Sequence, residues 1–381
     1  MFVREVVNLD QAQEILKQIG VDSAGAALMS KKMIARTVQI SNLDIRAANI
    51  FKQECLSVGA DLALPKDACK LIAKRTDAAL IANLKQIEKL IVKLNIQPFG
   101  LKEIAKELQT VLKNYDRKIE KPKIMGVLNV TPDSFSDGGK FLNPDNPDKA
   151  VAHAMKMIKE GADIIDIGGE STGPGSKNVS IKEELERVIP VIKAIRKKDG
   201  EIAISIDTYK AKVAEEALKA GANMINDVTA MRSDSKMVDL VKKTGVPVCL
   251  MYSKDSTART TKKNVKYDDV IQHIGRFLQK RIFLAENKGV KPEQIIIDPG
   301  MGVFVSGDPK YSFEILARLG EFKSLGYPIL IGPSRKSFLG GKMRDRREGT
   351  LAASLVAMMN GASIIRVHDV KGVKKLTKFA C

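Results

Sequence analysis

Short apolar runs recur from residue 121 to the C-terminus, and stretches of helical periodicity separate them. They read IMGVLN (124–129), ADIIDIG (162–168), AISID (203–207), NMIND (223–227), PVCLMY (247–252), IIID (295–298), PILIG (328–332) and SIIRVHD (363–369), eight in all. Strands alternating with helices predict βα units and a parallel sheet. A polar residue stands at or just beyond the end of nearly every run: Asn129, Asp166, Asp207, Asn226, Asp298, Lys336 and Arg366. Core strands should carry hydrophobes, so polar residues at one end of so many of them predict a shared chemical face. A (β/α)₈ TIM barrel collects its chemistry there, at the carboxyl ends of its strands. Lys121 to Cys381 is 261 residues, close to the ~250 typical of that barrel. An open doubly wound sheet is the competing α/β architecture, but it would gather its ligand residues at one switch point.

Helix signals between the runs agree. Ser180 followed by Glu183 predicts a capping box. Thr208 is placed to cap KAKVAEEALKA, and Gly221 and Gly361 to close helices with positive φ. Pro190 inside a predicted helix should kink or break it. Residues 1–118 read differently. The periodicity predicts amphipathic helices over 8–20, 42–59, 77–94 and 101–115, with short strands at FVREVVN (2–8), ARTVQI (35–40) and DLAL (61–64). This is a separate small α/β domain without a catalytic motif, joined to residues 121–381 by the lysine-rich DRKIEKPK (116–123). Structural support is its expected role, ahead of interaction, dimerisation or a lid.

Composition narrows the function. The net charge is +18 and the pI near 9.6, an excess that raises the local concentration of anions. Basic residues are interleaved with acidic ones, as in KEELERVIPVIKAIRKK (182–198), and aromatic content is 5%. A nucleic-acid partner is therefore not expected. No apolar stretch approaches the ~18 residues of a membrane span, and MFVREVVNLDQAQ lacks a signal-peptide core. Cys55, Cys69, Cys249 and Cys381 show no CxxC spacing, which points to reduced thiols in the cytoplasm. The three histidines lie far apart and offer no local metal pattern.

The loops after the runs carry the candidate chemistry. LNVTPDSFSDGGKF (128–141) reads as an irregular loop. Asn129 at its start offers an amide oxygen suited to Mg²⁺, which usually binds with substrate phosphates. Asp137 within it could face a developing positive charge. DIGGESTGPGSK (166–177) supplies glycines and hydroxyls but fails the spacing of a phosphate-binding P-loop. SIDTYK (205–210) and NMINDV (223–228) set Asp207 and Asn226 at adjacent strand ends, where carboxylate and amide can read a flat heterocycle. Helix N-capping by Asp207 or Thr208 is the structural alternative. DPGMGVF (298–304) adds a carboxylate at a Pro-Gly turn. GPSRKSF (332–338) and RVHDV (366–370) follow or lie on the last two strands, where this barrel frequently builds a phosphate site. There Arg366 offers a bidentate fork, His368 shares its strand face, and Lys336 and Ser337 add a charge and a hydroxyl.

In this order and at these distances, LNVTPDSFSDGG, GGESTGPG, SIDT, IND, DPG, GPSRKSF and RVHDV closely resemble the dihydropteroate synthase family over residues 121–381. The N-terminal region resembles the extension of archaeal relatives. The resemblance implies a (β/α)₈ transferase that condenses (7,8-dihydropterin-6-yl)methyl diphosphate with an arylamine, normally 4-aminobenzoate, and releases diphosphate. It implies that Asp207, Asn226, Asp298 and Lys336 hold the pterin, with Met251 beneath the ring. Asn129, Arg366 and His368 would hold diphosphate and Mg²⁺, and Thr172 and Ser337 would meet the arylamine. Asp137, Lys336 and Asp207 are the implied catalytic residues, and a homodimer is the implied assembly. Three stretches depart from the pattern. Gly173 stands where STRPG has arginine, LMYSKD (250–255) replaces an LMHMQG-like run, and Val303 replaces a ring-packing aromatic. Gly173, the extra domain and the basic charge raise a ribofuranosyl-aminobenzene phosphate, as in methanopterin synthesis, as an alternative acceptor. A pterin-dependent methyltransferase and a non-catalytic pterin-binding protein are the rival functions.

Overall fold

A computed structural model describes residues 6, 8–115, 121–131 and 147–380. The chain forms two compact units, Met1–Arg117 and Lys118–Cys381.

In the first unit, β1 (Ala35–Asp44), β2 (Asp61–Ala63) and β3 (Arg75–Asn83) form an antiparallel sheet in the order β1-β3-β2. Its core is built from Phe51, Leu62, Leu80, Leu90 and Leu101, all fully buried. The expected helix over 77–94 is half strand. Ala78, Leu80 and Ala82 point inward at period two, and β1 pairs with them from Ala35↔Asn83 to Ile40↔Ala78. The helix Leu84–Leu94 starts only where Asn83 and Gln86 exchange a capping box. The strand β1 likewise extends to Asp44, which caps Ile45–Ser57 instead of leaving 42–44 helical. A further helix, Ser23–Met33, was not expected, because SAGAALMSKKM has little amphipathic pattern. The strand expected over 2–8 falls mostly outside the described residues.

In the second unit, the expected barrel forms. Its strands are β4 (Lys123–Asn129), β5 (Ile164–Gly168), β6 (Ala203–Asp207), β7 (Met224–Asp227), β8 (Val248–Met251), β9 (Ile295–Asp298), β10 (Leu330–Ile331) and β11 (Ile364–Val367). All pairs are parallel, in the order β10-β11-β4-β5-β6-β7-β8-β9. A single parallel bridge, Ile297↔Ile329, closes the cylinder. Helices shield its outside, and that core is largely Ile, Val, Leu, Ala and Met.

The inside has a sharp polarity step. Met125, Ile164, Met224, Cys249, Ile296, Leu330 and Ile364 fill it as one apolar layer. Side chains alternate along a strand, so inward positions recur every second residue. Two residues on from Ile164, Met224, Ile296 and Ile364 stand Asp166, Asn226, Asp298 and Arg366. The polar layer thus sits directly on an apolar plug. Lateral register aligns it, with Asn129↔Gly168, Gly168↔Asp207 and Asp207↔Asn226 as successive partners.

Local signals hold in part. Gly221 (φ 118°) and Gly361 (φ 96°) end their helices, and the helix Ile181–Lys198 runs unbroken through Pro190. Ser180 accepts the Glu183 amide at 3.1 Å, but the Glu183 carboxylate turns to Arg187, so the capping box is half formed. Thr208 does not cap the helix Ala211–Ala220. The amide of Ala211 goes instead to Asp234 Oδ2 at 2.9 Å. No helix among the described residues is long and apolar enough to cross a membrane. Cys55, Cys69 and Cys249 are free thiols.

Candidate active site

The polar layer is wired as one cluster around Asp166. This carboxylate is fully buried. Its Oδ2 accepts from Arg366 Nε at 2.6 Å and from Asn226 Nδ2 at 3.1 Å. Arg366 Nη2 donates to Asp207 Oδ2, also at 2.6 Å. One guanidinium from β11 therefore spans two carboxylates on β5 and β6, a charge-assisted arrangement that fixes its plane. Arg366 Nη1 and Asp166 Oδ1 have no hydrogen-bond partner among the described residues. Burial disfavours the Arg366 charge, but Asp166 and Asp207 outweigh it and hold the pKa above its ordinary value. Burial pushes Asp207 up to about 7, while Arg366 pulls it back.

Asp298 and Lys336 are close enough to act on each other's charge. Asp298 Oδ1 accepts from Gly300 N at 2.7 Å. Its pKa rises through burial, against the pull of Lys336. The turn after Asp298 needs glycine: at Gly300 (φ +71°) an added Cβ would lie 2.5 Å from Tyr252 O. Lys336 Nζ donates to Met301 O at 3.3 Å and lies 5.3 Å from the Phe304 ring centroid. Burial lowers its pKa to about 8, with Asp298 opposing. Met251 is buried with Val228 and Ala258 against Tyr209 and Phe304. An aromatic wall is therefore present, supplied by Phe304 one position past Val303.

His368 is held by Ser334. The serine Oγ accepts the His368 amide at 3.2 Å and lies 2.9 Å from Nδ1. We assign the serine hydrogen to Nδ1, which puts the ring proton on Nε2 as a donor. Burial, with Arg335 and Arg366 adding to it, lowers the pKa to about 3, so the ring is neutral at pH 7. The neutral ring offers a hydrogen bond instead of a cation.

Asn129 ends β4 beside this cluster: a methyl on Gly168 would lie 3.7 Å from both Asn129 Oδ1 and Asp207 Oδ2. Thr172 is half-buried in the second loop and Ser337 is exposed. Asp137 lies outside the described residues. Among those described, no group of three His, Cys, Asp or Glu could cage a metal ion. One amide oxygen suits an ion that arrives on a phosphate, because Mg²⁺ keeps waters and takes few protein ligands.

Sequence reasoning gave Asp166 no role, although it named it as a strand-end residue. It also missed Glu170, Glu184, Lys210 and Arg259. Lys210 Nζ bonds Glu170 Oε2 and Glu184 Oε2, both at 2.6 Å, and Arg259 bonds the other oxygen of Glu170. Both carboxylates are buried. In the sequence these residues look like any exposed helix or loop charge.

Residues 125–368 match the family described as pterin binding enzyme. The dihydropteroate synthase of Clostridium beijerinckii is 47% identical over 256 residues, which is 66% of this chain and 90% of that protein. A probable bifunctional folylpolyglutamate synthase/dihydropteroate synthase of Halobacterium salinarum is 40% identical over 377 residues. That alignment takes in 96% of this chain, which spans only 45% of that relative's length. The structure of a dihydropteroate synthase from Clostridium difficile, solved in the presence of pteroic acid, superposes with a TM-score of 0.61. It is 45% identical and covers 69% of this chain and 96% of its own.

Proposed function

This chain belongs to the dihydropteroate synthase family, and from that premise we propose that it condenses (7,8-dihydropterin-6-yl)methyl diphosphate with an arylamine, releasing diphosphate. The observation that carries this reading is the bonded cluster of Asp166, Asp207, Asn226 and Arg366, set on the same rim as Asp298 and Lys336. A row of carboxylates and an amide suits the donor-rich edge of a pterin, and Lys336 suits its carbonyl. Met251 and Phe304 give the ring an apolar support.

In the reaction, the bond between the C6 methylene and the diphosphate oxygen breaks, and its electron pair leaves with diphosphate. The aniline nitrogen then bonds the methylene carbon and loses a proton. The electron-rich pterin spreads the interim positive charge, and the carboxylates around the ring stabilise it. Arg366, through Nη1, and His368, through Nε2, are placed to receive the leaving group. Such preorganised charge stabilisation is usually the largest catalytic term. Asn129 would hold Mg²⁺ on the diphosphate, where the ion neutralises leaving-group charge. Thr172 and Ser337 would meet the arylamine, with Asp137 near the developing cation.

The acceptor is 4-aminobenzoate in the first instance. A ribofuranosyl-aminobenzene phosphate is the second reading, favoured by the open space at Gly173, where an added Cβ would meet only Ser171 Oγ at 3.6 Å. The exposed Phe283, Phe313 and Met359 on three adjacent barrel helices support a homodimer. The test is diphosphate release by the full chain, with each arylamine in turn. Saturable release that requires an arylamine is expected, and the acceptor with the higher kcat/KM identifies the substrate. Pterin binding without release would favour a non-catalytic binding protein, and methyl transfer from a methylpterin would favour a methyltransferase.

A further inference from the structure

Residues 252–261, which follow β8 and begin with the end of LMYSKD, bond both Val303 and the loop that carries Gly173. Lys254 has a side chain only 3% exposed. Its Nζ donates to Val303 O at 2.6 Å and Thr261 O at 2.7 Å, and pairs with Asp255 at 2.8 Å. Its backbone amide donates to Phe304 O at 2.8 Å. That anchors one end of the segment on the turn after β9. At the other end, Thr260 N donates to Thr172 O at 3.1 Å. Arg259 Nε donates to Ser176 O at 3.2 Å, and Nη2 donates to Lys177 O at 3.0 Å and to Glu170. Glu170 is in turn tied to Lys210, three residues past Asp207.

We propose that residues 252–261 form a cross-brace in which Arg259 is a positioning residue, fixing the loop 170–177 and with it the arylamine subsite. This rests on the transferase reading above for its substrate, but not for its geometry. The family arginine would lie within the second loop. Here a guanidinium reaches that loop from outside and spends its donors on two carbonyls and a buried carboxylate. It orders the loop while leaving the space beside Gly173 open. The charge-assisted bond to Glu170 is one of two cationic ties on that buried carboxylate, so losing Arg259 frees the loop carbonyls while Lys210 keeps Glu170 paired. The pterin contacts come from strand ends that the brace does not hold by Arg259. Losing that residue should therefore separate the two substrates.

The experiment compares wild type, Arg259→Ala and Arg259→Lys in the full chain by hydrogen exchange and by steady-state kinetics. In Arg259→Ala, amide exchange across 170–178 should rise about tenfold or more while β5 and β6 stay protected. The KM for the arylamine should rise about tenfold, with that for the dihydropterin diphosphate within about twofold. Arg259→Lys should recover part of both effects, since it keeps the charge on Glu170 but not both carbonyl bonds. It also serves as the informative variant if Arg259→Ala does not fold. Unchanged exchange across 170–178 overturns the brace, and an equal rise in both KM values overturns its link to the arylamine. If wild type turns over neither arylamine, the transferase reading fails, while the exchange comparison still decides the brace.

Discussion

Asp166 accepts from Arg366 and Asn226 without exposure to water, so replacing it tests how much the cluster depends on one group. Asp166→Asn keeps the shape and removes the charge. Breaking a buried pair of this kind costs about 3–5 kcal/mol. We expect a loss toward the lower bound, since Arg366 keeps Asp207, and urea unfolding measures it. A loss under about 1 kcal/mol would mean that Asp207 alone suffices. Lys336 gives a pH test. Its pKa of about 8 lies below the ordinary lysine value, so it is charged below that pH and neutral above. The kcat/KM for the dihydropterin diphosphate should therefore fall as pH rises through about 8. Lys336→Arg, which stays charged, should move that alkaline limb upward. An unmoved limb would assign the titration to another group.

The eight barrel strands were legible in the sequence because each is largely buried and reads as a short, mostly apolar run with its polar residues gathered toward one end. The turn after Asp298 was legible as Pro-Gly but not as a contact. Only the structure brings Tyr252 O within 2.5 Å of the position a Gly300 side chain would occupy. Gly300→Ala should push the turn away, displace Asp298 and lower kcat/KM for the pterin substrate about tenfold or more. The arylamine KM should move less, and steady-state kinetics with both substrates varied checks this. Residues 77–83 misled because DAALIAN matches a helix as well as a strand, and only pairing with β1 decides. The strap after β8 was illegible for a different reason. Lys254 and Arg259 are ordinary surface residues by type, and their bonds run to backbone carbonyls whose positions no side-chain pattern encodes.

Each unit has its own hydrophobic core, one built around Phe51 and Leu80 and the other around the barrel helices. The Clostridium beijerinckii relative aligns with only 66% of this chain. We therefore expect a 118–381 fragment to fold cooperatively and to retain diphosphate release, as read by thermal unfolding and the same assay. Loss of folding would give the first unit the supporting role expected from the sequence. Loss of turnover alone would give it a part in the reaction. At the scale of the molecule, the net charge of +18 and the cationic groups of the rim act together. Association with an anionic substrate should slow as ionic strength rises.

Seven of the eight joins around the cylinder are ladders of two or more paired residues, whereas β9 meets β10 at Ile297↔Ile329 alone. Asp298 ends the strand on one side of that seam, and the segment bearing Lys336 follows the strand on the other. We expect a wall stitched by one rung to part there first, as faster exchange of the Ile297 amide than of its β5 and β6 counterparts would show. Each such parting would draw the carboxylate and the ammonium away from each other, and a ligand bridging the two would lace it shut.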